Sequence, residues 1–380
     1  MAGPLAGVRV IELAALGPAP FCGMLLADLG ADVVRVDRPG SVADWLVSSP
    51  GHDLHNRGKR SIGLDLKKPE SLEIVLELVG TSEALIEGYR PGVTERLGVG
   101  PAECLARNPA LVYGRMTGWG QEGPYSAMAG HDIDYIALSG VLHSIGTRAQ
   151  PVPPLNLAGD FGGGGMLLAL GVVAAILSAR DSGVGQVVDA AMVDGSALLT
   201  TSHHGYMSDG WWVPERESNL LDGGAPFYAT YETSDGGHMA VGALEPQFYD
   251  ELLDGLGIDP GELPARMDRD GWPRISQAVA ARFKERTRDE WAEHFSGSDA
   301  CVAPVLSMAE APHNEHNRDR KTFVEVGGVT QPAPAPRFSR TSTPIPSEPA
   351  APGSDTEAIL GELGYKATQI GKLRESGAIA

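Results

Sequence analysis

Residues 8–37 read VRVIELAALGPAPFCGMLLADLGADVVRVD, and this stretch decides the fold. Residues 8–13 are rich in β-branched and apolar side chains and are expected to form a strand. Residues 18–29 open on a proline, which a helix tolerates in its first turn, and read as a helix. Residues 32–37 return to a β-branched run. Strand, helix and strand in direct succession form a β-α-β unit, which builds a parallel sheet covered by helices.

The rhythm continues outward from this unit. Strands are expected at 62–66, 84–87 and 111–115, with a helix over 72–79 after Pro69 and a short helix before the last strand. Ligands of such sheets sit beyond the carboxyl ends of the strands. A helical stretch, DIDYIALSGVLHSIG, opens after His131; a glycine run at 162–165 leads into an apolar helix over 166–179; Gly185 begins a strand of buried character, GQVVDAAM, followed by a helix through Ser196. Composition shifts at 208–224, which is polar and Gly-rich. A hairpin of 227–232 and 238–241 over the turn 234–237, then helices over 245–255 and 272–296, read as a smaller α+β domain. Residues 330–353 are rich in Pro and Ser and read as an extended arm, and the final segment has helical periodicity. The expected organisation is a large domain over 1–200, a linker over 201–224, a small domain over 225–320, and a return segment with terminal helices over 321–380.

The chain has 380 residues, 42% of them hydrophobic, and a formal net charge of −19. An acidic surface argues against a nucleic-acid partner, because phosphate binding needs clustered cations. Each basic residue near a candidate site is therefore informative. Cys22, Cys104 and Cys301 are far apart, without a CxxC, so no disulfide framework is expected and a reducing compartment fits. The N-terminal MAGPLAGVRVIEL lacks the charged start and apolar core of a signal peptide. The apolar run 166–177 is too short to span a bilayer, and ESGAIA at the C-terminus is no peroxisomal or ER-retention signal. A cytoplasmic protein with no membrane partner is expected. No GxGxxG follows the first strand, where the turn reads ELAALGPAP, so a dinucleotide-dependent dehydrogenase is excluded. The pairs His52/His55 and His313/His316 lack a third ligand at a telling distance, so no metal is expected.

Several segments carry a resemblance. LAGVRVIELAALGPAPFCGMLLADLGADVVRVDRPG, RSIGLDLKKPES, IEGYRPGVTERLG, RMTGWGQEGPY, GHDIDYIALSGVLHSIG, NLAGDFGGGGM, GQVVDAAMVDGS and VGALEPQFYDELL resemble, in order, the family III CoA-transferases and their racemase relatives. The GHD, GDFGGG and EPQF segments look like the α-methylacyl-CoA racemase branch. The resemblance implies a large Rossmann-like domain, a smaller domain, and two chains interlocked as a homodimer. It implies an acyl-CoA substrate, with coenzyme A as part of that substrate and no separate cofactor.

Racemisation at the acidic α-carbon of a thioester needs two groups flanking that carbon, each able to act as acid or base, and a donor aimed at the enolate oxygen. A lone His131 is by default a helix-terminal histidine, but in the GHD segment it resembles the racemase base. Glu245, from EPQF, is matched as the carboxylate that fixes the His131 tautomer; alone it reads as a helix-start carboxylate. Asp160, in GDFGGGG, is matched as the second acid/base. Taken by itself it reads as an N-cap, and it also matches the covalent nucleophile of the transferase relatives. Its glycine run is expected to let backbone approach a ligand and to let a loop move; no Lys-Ser/Thr follows, so it is no Walker loop. The main-chain N–H of Asp132, at a helix start, is matched to the enolate oxygen. Arg38, Lys67 and Arg96, with Arg90 nearby, match CoA-contacting positions, and Tyr89 matches an aromatic beside the adenine. Phe21, Met24, Phe227 and Tyr228 could line an acyl pocket, although a core role suits each. The rival readings are a transferase working through an aspartyl-CoA anhydride at Asp160, which has no need of His131 or Glu245, and a non-catalytic CoA-binding protein.

Overall fold

The computed structural model describes residues 3–39 and 49–379. The chain divides into two compact units, Met1–Ser139 with Leu155–Leu199 and His316–Ala380, and Gly140–Pro154 with Thr200–Glu315.

The first unit is built on β1 (Arg9–Leu13), β2 (Asp32–Asp37), β3 (Arg60–Gly63), β4 (Ala84–Glu87), β5 (Val112–Thr117) and β6 (Gln186–Ala191). They form one sheet in the order β3-β2-β1-β4-β5-β6, with every neighbouring pair parallel. Helices α1 (Pro18–Asp28), α2 (Pro69–Val79), α3 (Val93–Leu97), α4 (Pro101–Arg107), α5 (Asp132–Leu138), α6 (Leu167–Ser182) and α7 (Met192–Leu199) follow the strands. Alternation along the strands feeds two cores. Val10, Val33 and Ile86 join Leu26, Val172 and Ile176 on the face of α1 and α6. Ile11, Val34 and Leu85 join Ile74, Leu78 and Cys104 on the face of α2 and α4. Strands buried on both faces are what a helix-covered parallel sheet requires.

The β1–α1 corner is fixed by a buried ion pair. The Lys59 ammonium donates to both Glu12 carboxylate oxygens at 2.7 and 2.9 Å, to the Pro20 carbonyl at 2.9 Å and to Asn56 Oδ1 at 3.1 Å. Burial pushes Glu12 above the usual carboxylate range and Lys59 below the usual amine range, and their mutual attraction opposes both shifts. Gly23 lets α1 lie over this pair: a Cβ there would stand 1.8 Å from Glu12 Oε2.

The second unit holds α8 (Thr201–Ser208) and an antiparallel sheet of β7 (Tyr228–Glu232), β8 (His238–Gly242) and β9 (Val302–Pro304). It also holds α9 (Pro246–Leu256), α10 (Trp272–Phe283) and α11 (Arg288–His294). Phe227, Leu252, Phe283 and Trp291 lie in its core. A helix (α12, Glu315–Asp319), a hairpin of β10 (Phe323–Val326) and β11 (Val329–Pro332), and helices α13 (Thr356–Glu362) and α14 (Ala367–Glu375) complete the chain. The Pro-rich arm is tied to the first unit: Arg57 donates to Gln331 Oε1 and the Pro332 carbonyl at 2.8 and 2.7 Å, and Gly353 N donates to Ser61 Oγ at 2.7 Å.

Four expectations change. The segment 201–224 opens on α8 and belongs to the second unit, where buried Asn219 ties it to itself through both Val213 main-chain groups. The helix expected over 272–296 is two helices, because Thr287 caps α11 with a reciprocal Thr287–Glu290 pair. β6 sits at the sheet edge and only its last two residues are buried, so the buried reading of GQVVDAAM is corrected. The apolar run does not stop at Met166–Leu177: Leu157–Ser182 is a continuous helical stretch of 26 residues, long and apolar enough by length and composition to cross a membrane, with 39% of its most apolar window buried. It covers the sheet with one face, packing Leu168, Val172 and Ile176 into the core, and leaves Leu170 and Leu177 exposed.

Candidate functional site

Two adjoining cavities in the first unit matter here, one lined by the carboxyl ends of β1, β2 and β4. The strand order reverses there between β1 and β4, the place where such sheets bind ligands. One cavity, of about 330 Å³, is lined by Asp37, Arg38, Lys67 and Tyr89 among others. The second, of about 600 Å³, is lined by His131, Asp160, Arg90, Trp119 and Met192 among others. Leu16 and Tyr89 line both, so the cavities adjoin. The Tyr89 hydroxyl donates to the Ala14 carbonyl at 3.0 Å and its N–H to Glu87 Oε2 at 2.6 Å, which fixes the ring at this junction. Three of the four residues matched to coenzyme A thus meet around one cavity. Arg96 stands on α3 with its guanidinium beside Gly92, outside the residues lining either cavity.

His131 is the residue before α5. It is exposed, its N–H donates to Asp134 Oδ2 at 2.9 Å, and Asp134 N donates back to the His131 carbonyl at 2.8 Å. Tyr135 braces the loop from below. Its ring occupies the space a side chain at Gly118 or Gly130 would need, its hydroxyl donates to the Gly130 carbonyl, and Trp119 packs edge-on at 4.7 Å. Burial, with the nearby Asp160 and Asp134 charges, pushes the Tyr135 hydroxyl up to about 12, so it stays a neutral donor.

Asp160 lies within a π-helical segment, Leu157–Met166, that runs directly into α6. The N-cap reading of Asp160 is therefore corrected. Wide turns of this kind are frequent at functional sites. Asn156 Nδ2 donates to Asp160 Oδ2 at 3.1 Å, and Asp160 N donates to Asp132 Oδ1 at 2.7 Å. Burial holds the Asp160 carboxyl above the usual carboxylate range; the Asp132 charge adds to this, while the Asn156 bond and the His131 charge oppose it. Asp132 itself is buried, its side chain spent on Asp160 and its main-chain N–H in the first turn of α5, where no carbonyl of the same helix can reach it.

The glycine run serves packing. A Cβ on Gly163 would come within 2.6 Å of Ser196 N, one on Gly195 within 1.8 Å of the Gly163 carbonyl, and one on Gly165 within 2.7 Å of the Pro18 carbonyl. The glycines let α1 and α7 close on the π-helical segment from two sides.

Glu245 belongs to the second unit, exposed at the residue before α9. Met24 and Phe227 are core residues, 8% and 0% exposed, and Tyr228 is a surface residue at 38%. Asn156, His55, Phe161 and Tyr135 line the larger cavity without having been singled out as part of the site. Asn156 is the residue before the π-helical segment, and its amide reaches Asp160 from there.

A Rossmann-like α/β unit with adjoining cavities at the switch point of its sheet, one bordered by Arg38 and Lys67 and the other by His131 and Asp160, defines the class. Residues 5–356 match CoA-transferase family III, and the chain belongs to that family. It is 47% identical over 370 residues to a mouse protein named alpha-methylacyl-CoA racemase, covering 96% of this chain and 95% of that one. It is 47% identical over 380 residues to the human protein of the same name, covering 99% and 97%. Among solved structures it is similar to a CaiB/BaiF family protein from Brucella suis, with a TM-score of 0.83 at 25% identity, covering 96% of this chain and 100% of that one.

Proposed function

We propose that the chain is a racemase interconverting (R)- and (S)-2-methylacyl-CoA thioesters by removing the α-proton and returning one to the opposite face. The observation that carries this reading is the placement of His131 and Asp160 around one cavity, each presented by a different helical element. Two acid/base groups on separate elements can face an α-carbon from two sides. His131 takes the proton of one epimer and Asp160 that of the other. The raised affinity of Asp160 for its proton suits a group that must serve as acid as well as base near neutral pH. The enolate is received by the Asp132 N–H, supported by the first-turn position of that residue. Glu245 is assigned to orient His131 on the strength of its EPQF segment.

Coenzyme A lies along the adjoining cavity as part of the substrate, with Arg38 and Lys67 set to meet its phosphates and Tyr89 at the turn between cavities; Arg96 is assigned to the same task by its segment alone. The reaction supplies one proton for the one it removes, so it needs no redox partner and no separate cofactor. A second copy of the chain is the partner that the exposed Leu157, Met166, Leu170, Leu177, Leu198 and Leu199 favour, because Met166, Leu170 and Leu177 recur at helical spacing and present apolar side chains along one exposed face. A bilayer is disfavoured, since α6 cannot leave the sheet without uncovering its core. Acidic surface charge and three free cysteines suit a cytoplasmic protein without nucleic-acid partners.

Replacing His131 or Asp160 by Ala tests the scheme. Each variant should lose racemisation by roughly 10²–10⁴-fold while still binding coenzyme A. Full activity in His131→Ala would overturn the two-base reading.

A further inference from the structure

Asp160 sits in a segment held mainly through its main chain, by the Asp160 N–H bond to Asp132 and the close approach of α1 and α7. From Gly159 to Gly165 the chain reads GDFGGGG, so Phe161 is the one side chain in this stretch besides that of Asp160. The Phe161 ring is gripped by two others. Phe21 lies 4.8 Å away, tilted by 51°, and His55 lies 5.2 Å away, at 68°. Phe21 and His55 are themselves 5.7 Å apart, edge to face at 72°.

The two gripping rings share one foundation. Phe21 follows Pro20 in α1, and His55 precedes Asn56 in the single turn Leu54–Asn56. The Lys59 ammonium donates both to the Pro20 carbonyl, at 2.9 Å, and to Asn56 Oδ1, at 3.1 Å, while it is held by Glu12. Asn56 Nδ2 donates in turn to Asp53 Oδ2 at 2.6 Å. A fully buried ion pair therefore sets the gap into which Phe161 fits, and His55 and Phe161 line the cavity beside Asp160.

We infer that His55 is a positioning residue for Asp160: with Phe21 it clamps the Phe161 ring and so fixes where the Asp160 carboxylate meets the α-carbon. The imidazole enters as a flat ring packed edge-on against Phe161. The inference rests on the two-base reading above, in which Asp160 and His131 serve opposite epimers.

The test measures α-deuterium exchange in deuterium oxide from each epimer of a 2-methylacyl-CoA separately, with kcat and KM for racemisation. In His55→Ala, kcat should fall about 10–100-fold with KM little changed, the effect of a small displacement of a catalytic group. Exchange from the epimer served by Asp160 should fall with it, and exchange from the epimer served by His131 should persist. His55→Phe should restore most of the loss. Wild-type kcat in His55→Ala, an equal fall in exchange from both epimers, or a His55→Phe variant as slow as His55→Ala would each overturn the inference. If His55→Ala lacks a cooperative melt, Phe161→Leu removes the clamp from its other side, and the same epimer-selective loss must appear there. Failure of the wild-type protein to exchange either epimer would instead count against the racemase reading.

Discussion

The Asp132 carboxylate accepts a 2.7 Å hydrogen bond from the main-chain N–H of Asp160. It ties the start of α5, where His131 stands, to the π-helical segment that carries Asp160. The two halves of the site are thus joined by this half-buried bond, and the charge of Asp132 also helps to hold the Asp160 carboxyl above its ordinary range.

Asp132→Ala separates these two halves. Leaving the Asp160 N–H without its acceptor should cost about 1–3 kcal/mol of stability, read from urea unfolding. Displacement of Asp160 should lower kcat about 10–100-fold. Asp132→Asn keeps an acceptor oxygen and drops the charge. It should therefore retain most of the stability and move the Asp160 limb of the pH–rate profile to lower pH, because the Asp132 charge raises Asp160.

Asp160 should cost the fold stability when it ionises. Its folded-state proton affinity lies above the unfolded one, so its contribution is fully present below the ordinary Asp pKa of about 3.9 and is lost as pH rises through the raised folded value. Asp160→Asn cannot ionise and keeps an acceptor oxygen. Thermal melts should show the variant at or above the wild type near neutrality, with the gap closing toward pH 4. A variant less stable at neutral pH than the wild type would contradict the direction of the shift.

The Lys59–Glu12 pair is the buried support of the β1–α1 corner, with side chains 1% and 0% exposed. Lys59→Met leaves the buried Glu12 carboxylate without its hydrogen-bonded counter-charge and should destabilise the protein by about 3–5 kcal/mol. The double variant Lys59→Met/Glu12→Leu removes both charges and should recover a large part of that loss. Urea midpoints of the two variants read the difference.

Gly195→Ala places a methyl 1.8 Å from the Gly163 carbonyl, a contact between two main chains that cannot rotate away. Either α7 or the π-helical segment must move. The expected outcome is a stability loss of about 1–3 kcal/mol together with a fall in kcat, seen in paired unfolding and rate measurements.

The large sheet was legible because its strands are short β-branched runs set off by helix starts at Pro18, Pro69 and Pro101. A parallel sheet leaves that signal in sequence because both faces are buried. What depended on neighbours was not legible. GQVVDAAM looks like an inner strand, yet β6 ends the sheet and has no partner on its outer side among the described residues. The packing of the glycine run was not legible either, since Gly163 and Gly195 need each other across a helix contact that no local pattern announces. The family segments pointed to His131, Asp160, Arg38, Lys67 and Tyr89, which the fold gathers around adjoining cavities. They could not point to His55, whose place beside Phe161 is set by a lysine four residues on and a carboxylate on β1.

The most direct test of the central claim incubates the purified protein with a single epimer of a 2-methylacyl-CoA in deuterium oxide, without added carboxylate. The account predicts deuterium at the α-carbon together with loss of chiral purity. Retention of the α-proton, with coenzyme A passing to a carboxylate once one is added, would contradict it and make Asp160 the nucleophile of a transferase.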